Sequence, residues 1–124
     1  MAFTQPLILL DTNILLYFLG GKLVNPLPSG QYFVSVITEI ELLSYPSLSS
    51  VEETQIIDFL KKITSVGVDN NIKNLTIAIR KQYKLKLPDA IIVATAKSLN
   101  ATLFTNDVKL TNVMEINTQS LEVV

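Results

Sequence analysis

The sequence predicts an α/β fold: a central, mainly parallel β-sheet flanked by helices. Three observations carry this. Short apolar runs of strand length alternate along the chain with segments of helical period. The first run, Leu7-Ile8-Leu9-Leu10, is apolar throughout, as a strand covered on both faces must be. No linker, repeat or low-complexity stretch divides the 124 residues, so residues 1–124 read as one domain with one sizeable core.

The elements run in order. Met1–Pro6 is a lead-in, Leu7–Asp11 the first strand and Thr12 to about Leu19 the first helix, stopped by Gly20-Gly21. KLVNPLPSG, residues 22–30, is a loop. Gln31–Ser35 is a second strand, and Val36–Tyr45 a helix ended by Pro46. Ser49 or Ser50 caps the next helix, and Glu52 and Glu53 fall in its first turn, where the helix dipole favours them. Its apolar stripe is Ile56, Ile57, Phe59, Leu60 and Ile63. Val66–Asp69 reads as a short strand, and Ile72–Lys84 as a helix with Ile72, Leu75, Ile79 and Tyr83 at helical spacing. Pro88 suits the first position of a helix running to about Leu99, with Asn100 as its stop. Ala101–Thr105 is a strand, Asn106-Asp107 a turn, and Val113–Ile116 a last strand. Helical crossovers between parallel strands place the ends of the strands at residues 11, 35 and 105 along one edge, where open α/β sheets bind ligands.

Four of the eleven acids fall at that edge: Asp11, a glutamate of the second helix, Asp89 and Asp107. Each alone has a simpler reading as a cap or a solvated position; shared placement is what those readings do not predict. Glu39 and Glu41 compete for the second helix. They lie about 200° apart, so only one faces a given site. Ile37, Ile40 and Leu43 set the apolar face, both glutamates flank it, and periodicity leaves the choice open.

Composition narrows the chemistry. The chain has no cysteine and no histidine, which removes disulfides, zinc–thiolate sites and imidazole catalysis. Clustered carboxylates repel by about 4 kcal/mol per pair at 4 Å and an effective dielectric near 20. They take up protons or bind a cation. Oxygen donors alone suit Mg²⁺ or Mn²⁺, which lowers the pKa of a water and offsets charge on a phosphoryl oxygen. The net charge of −1 gives no global attraction to nucleic acid, so a polyanionic substrate needs local bases. Between Asp69 and Asp89 there are five bases and no acid, and Lys84 and Lys86 stand nearest Asp89 as candidate phosphate contacts. The first basic residue is Lys22 and the first apolar run is broken at 11–13, so neither a signal peptide nor a membrane span is expected. A cytoplasmic protein is the expectation.

The pieces LLDTNILLYFL, SVITEIELL, LPDAIIVATA and LFTND, in this order and spacing, resemble the PIN-domain ribonucleases, nearest the VapC-like toxins of toxin–antitoxin pairs. The resemblance implies a three-layer PIN-like fold. It implies an acidic quartet of Asp11, Glu41, Asp89 and Asp107, choosing Glu41 because the family's glutamate directly precedes a leucine, here Leu42. Asp11, Asp89 and Asp107 would hold the Mg²⁺ or Mn²⁺, with Asn13 and Thr105 in support. It further implies endoribonuclease activity on an RNA substrate, a homodimer and an antitoxin partner. The family's aromatic after the last acid is missing from NDVKLTNV, and the tail Glu115–Val124 matches poorly. A non-catalytic PIN-like module binding RNA or protein is the alternative. A receiver-like phosphate acceptor needs an acidic pair after the first strand, whereas Asp11 is followed by Thr12 and Asn13.

Overall fold

The computed structural model describes residues 5–124; most of the Met1–Pro6 lead-in lies outside the described residues. Five strands form one sheet in the order β3-β2-β1-β4-β5, and every neighbouring pair is parallel. β1 (Leu7–Leu10) occupies the centre, between β2 (Gln31–Ser35) and β4 (Thr102–Phe104). β3 (Thr64–Val66) and β5 (Asn117–Gln119) form the edges. A central parallel strand has no solvent face, which is why β1 is unbroken hydrocarbon.

Alternation along β1 divides the core. Ile8 and Leu10 pack with Ile14, Leu15, Val34, Leu42, Ile56 and Phe104. These come from α1 (Thr12–Leu19), α2 (Val36–Leu43) and α3 (Ser50–Leu60), besides neighbouring strands. Leu9 points to the opposite face, with Phe33, Leu103 and the buried faces of α4 (Asn70–Tyr83) and α5 (Leu87–Leu99). This gives the expected helix–sheet–helix layering. Alanine and other small residues in α5 let Ala90 and Ile92 through Ala96 all be buried. Gly30 permits β2 to run close beside β1: an added Cβ would lie 2.6 Å from Ile8 Cδ1.

Helix starts obey capping chemistry. Ser49 and Glu52 form a reciprocal capping box on α3. Asp69 caps α4 by accepting from Ile72 N–H at 2.8 Å. Lys84 and Asn100 end α4 and α5 in the left-handed region, at φ 56° and 53°.

Four local expectations are corrected. The third strand is Thr64–Val66, not Val66–Asp69, because Asp69 is committed to the α4 cap and β2 pairs from Phe33↔Thr64 to Ser35↔Val66. The last strand is Asn117–Gln119, not Val113–Ile116. Val113 is apolar because it packs in the core, while the edge strand itself is polar and largely exposed. A short helix, α6 (Val108–Thr111), fills the stretch after Asp107. The inward face of α2 is Thr38 and Leu42, both fully buried, whereas Ile40 is 54% exposed.

Candidate active site

The carboxyl ends of β1, β2 and β4 meet at one edge, and the turn or helix succeeding each strand sets the position of its acid. Asp11 directly follows β1 and is the N-cap of α1, accepting from Thr12 N–H at 2.8 Å through Oδ1. Its backbone N–H extends the β1–β4 ladder by donating to Phe104 O. Oδ2 accepts from the buried hydroxyl of Thr105 at 2.7 Å. Thr105 therefore joins the two central strand ends across 94 residues of sequence. The same hydroxyl accepts from Asp107 N–H at 3.1 Å, and Asp107 caps α6 through Oδ1. Asp11 and Asp107 are thus both helix caps through Oδ1, while Oδ2 of Asp11 accepts from Thr105 and Oδ2 of Asp107 lies on the side of Lys109.

The corrected face of α2 separates the glutamates. Glu41 lies one helical turn beyond buried Thr38, on the side of β1, and accepts from Thr12 Oγ1 at 2.8 Å. Thr12 also shares a hydrogen bond with Thr38 at 3.0 Å. Glu39 turns toward the sheet edge and accepts from Ser65 of β3. Asp89 is in the first turn of α5, half-buried.

Electrostatics ties three acids together. Burial pushes the Asp11 carboxyl above its ordinary value, the Thr105 and Thr12 hydrogen bonds oppose this, and the charges of Asp89 and Asp107 raise it further. Asp89 is raised by burial and by Asp107, and relieved in part by Lys109 and Lys86. The site is short of positive charge. Among the described residues, however, no three acids converge tightly enough to form a ready cation cage. The donor set fits Mg²⁺ or Mn²⁺ all the same. Such ions keep several waters and need only one or two carboxylates from the protein. The raised carboxyls are the groups a cation would settle.

Two residues important here escaped the sequence reading. Thr12 holds Glu41; its position directly after Asp11 was the available signal. Lys109 Nζ lies 3.9 Å from Asp107 Oδ2 and acts on Asp89. Lys109 lies two residues after Asp107, outside the basic run that precedes Asp89. Lys86 is felt at Asp89, while Lys84 is exposed and ends α4. Asn13 is exposed in the first turn of α1, and its side chain makes no hydrogen bond among the described residues.

Residues 8–115 match the PIN domain family model. A chain of a toxin–antitoxin complex from Klebsiella pneumoniae is 30% identical, with a TM-score of 0.75, covering 88% of this chain and 94% of that one. A chain of VapBC2 from Rickettsia felis, bound to a DNA fragment from the promoter, is similar at TM-score 0.78 and 18% identity, covering 94% and 99%. A chain of DNA-bound VapBC from Salmonella typhimurium is similar at 0.77 and 19%, covering 93% and 98%. The latter two speak for the fold alone. A search of curated proteins gives no significant match. With the family model spanning most of the sheet and all four acids, the chain belongs to the PIN domain family.

Proposed function

We propose that this chain is a Mg²⁺- or Mn²⁺-dependent endoribonuclease, acting as the toxin of a toxin–antitoxin pair, with residues 1–124 as one functional unit. The observation that carries this is the placement of Asp11 and Asp107 after β1 and β4 at one sheet edge, linked through the Thr105 hydroxyl, in a chain of the PIN domain family; the raised Asp11 and Asp89 carboxyls accord with it. Asp11, Asp89 and Asp107 would hold the ion. When bound, it would supply charge to offset that building on the scissile phosphate and make a coordinated water more acidic.

The protein's own residues do the remaining work. Thr105 aims Asp11 and Asp107 together, and Thr12 keeps Glu41 beside them. Glu41, with its second oxygen uncommitted among the described hydrogen bonds, takes the proton from the attacking water. The water oxygen bonds to phosphorus in line as the P–O3′ bond breaks, and the departing 3′-oxygen takes a proton from solvent, leaving a 5′-phosphate and a 3′-hydroxyl. Lys86 and Lys109 flank Asp89 and meet the RNA backbone, with Lys84 further along the same approach. Asn13, exposed in the first turn of α1, would serve as a supporting residue beside Asp11.

Toxin–antitoxin partnership is supported by the Klebsiella pneumoniae complex. Homodimerisation is supported by large apolar side chains exposed along α3, α4 and the segment between them, with Val51 66%, Val68 46% and Ile77 50% exposed. Among the described residues no helix is long and apolar enough to cross a membrane, in keeping with a cytoplasmic site of action.

The test is cleavage of RNA with Mg²⁺ or Mn²⁺, with and without chelator, for wild type and Asp11→Asn. Cleavage that survives chelation, or full activity in Asp11→Asn, overturns the reading. Saturable Mn²⁺ binding in calorimetry separates it from a non-catalytic binding module, for which none is expected.

A further inference from the structure

The end of the chain is built into the acidic edge through one side chain. Thr105 N–H donates to Gln119 O at 3.0 Å, the last rung between the β4 and β5 segments. One residue further, the pairing continues through a side chain instead of a backbone. Asn106 Nδ2 donates to Leu121 O at 2.9 Å, and Asn106 Oδ1 accepts from Leu121 N–H at 2.8 Å. Both polar groups of the Leu121 backbone are taken by one carboxamide, a bidentate match that only Asn or Gln chemistry provides. Beyond Leu121 the tail is pinned on its other side. Val24 N–H donates to Glu122 O at 3.0 Å, and Val124 N–H to Lys22 O at 2.8 Å. Leu23 and Val123 form an antiparallel bridge there.

Asn106 stands between the two residues that matter most at this strand end. Thr105 before it is bonded to Asp11; Asp107 after it is the acid of the turn. Asn106 is itself exposed, so its two bonds contribute little to global stability in water. Their consequence is directional: they hold the backbone that carries Asp107.

We propose that Asn106 is a positioning residue for Asp107, acting through the backbone of Leu121, and that the tail 121–124 is part of the framework of the acidic site. The activity arm of the test rests on the proposed nuclease function; the exchange arm does not.

The experiment compares wild type with Asn106→Ala. In metal-free protein, amide hydrogen exchange is read at Asp107 and Lys109, whose N–H groups are bonded within the turn, and at the amides of β1 and β4. Exchange at Asp107 and Lys109 rises about 10-fold or more while the strands keep their protection. In the RNA cleavage assay, kcat falls about 10- to 100-fold with KM within about twofold, the cost of a reacting group displaced by an ångström or less. Unchanged exchange at Asp107 and Lys109 overturns the proposal. So does a loss of protection across β1 and β4, which would make Asn106 a determinant of the whole fold. If wild type cleaves and Asn106→Ala cleaves equally well, the positioning role fails and the nuclease reading stands. If wild type does not cleave, the nuclease reading fails and the exchange result alone decides the positioning role.

Discussion

Replacing Thr105 with valine removes one hydroxyl and leaves the shape of the side chain nearly unchanged. In the native protein that hydroxyl donates to Asp11 Oδ2 and accepts from Asp107 N–H. A hydrogen bond to an ionised group contributes about 1.5–3 kcal/mol and a neutral one about 1 kcal/mol. Thr105 is fully buried, so water does not replace the lost partner. Thr105→Val is therefore expected to cost about 3 kcal/mol at a pH near 8. With an m-value of about 2 kcal/mol/M, the urea midpoint falls by about 1.5 M.

A double-mutant cycle with Asp11→Ala isolates the charged bond. Asparagine is unsuitable at position 11, because its amide can donate to the Thr105 hydroxyl and replace the interaction. The expected coupling at a pH near 8 is about 2 kcal/mol. Asp11 is held above the ordinary carboxylate value. The charged part of the coupling is therefore present when Asp11 is ionised and lost as pH falls through that raised value, leaving about 1 kcal/mol or less for the neutral bond. A coupling under about 0.5 kcal/mol near pH 8 would refute the role given to Thr105. A coupling that stays constant into acid would refute the charged state given to Asp11.

Asp11→Asn should reduce cleavage at least about 100-fold and yet raise Tm by a few degrees in metal-free buffer near neutral pH. The sign comes from linkage: an acid with a raised native pKa makes the native state bind more protons, so stability falls as pH rises from the ordinary value through the raised one. The Tm advantage should accordingly vanish in acid; an Asp11→Asn protein less stable than wild type at neutral pH would refute the raised value given to Asp11, since asparagine caps a helix as well as aspartate does. Mn²⁺ affinity measured by calorimetry should weaken on acidification at a pH above the ordinary carboxylate range, since Asp11 and Asp89 both protonate early. Thr12→Val should cost about 2 kcal/mol in urea unfolding, because Glu41 and Thr38 both lose a partner. Lys109→Ala should leave stability within about 0.5 kcal/mol, as its side chain is exposed. It should also make the salt dependence of single-stranded RNA binding shallower by about 0.7 in log–log slope; an unchanged slope would remove Lys109 from the RNA contacts.

Legibility followed burial. β1 was readable because a strand covered on both faces admits only hydrocarbon, and α5 because proline, alanine and asparagine mark its start, body and stop. β5 carried no such signal: as an edge strand of Asn117, Thr118 and Gln119 it needs no apolar face. The apolar Val113 beside it belonged to the core. On α2, apolar spacing misled because the helix turns Thr38 and Leu42 inward and leaves Ile40 to solvent. Periodicity counts apolar residues and overlooks a threonine buried for its hydroxyl. That is also why Glu41 was not separable from Glu39 on the residues alone. The feature that distinguishes Glu41 is its bond to Thr12, 29 positions away in sequence.

The choice of partners at this edge bears on what the acids are for. Buried charges in proteins are usually paired with an opposite charge or coordinate a metal. Here the groups that touch Asp11 and Glu41 are threonine hydroxyls and a backbone N–H. A hydroxyl orients a carboxylate without cancelling its charge, and each carboxylate oxygen retains a lone pair beyond the one it uses. Lys109 near Asp107, at 3.9 Å with an exposed side chain, is the nearest approach to an ion pair, and exposed pairs of that kind are worth about 0–1 kcal/mol. The edge therefore keeps its acids aimed and largely uncompensated, at a cost in stability that Asp11→Asn should return. An arrangement held against its own repulsion by neutral donors would suit a divalent cation, which needs only one or two carboxylates from the protein.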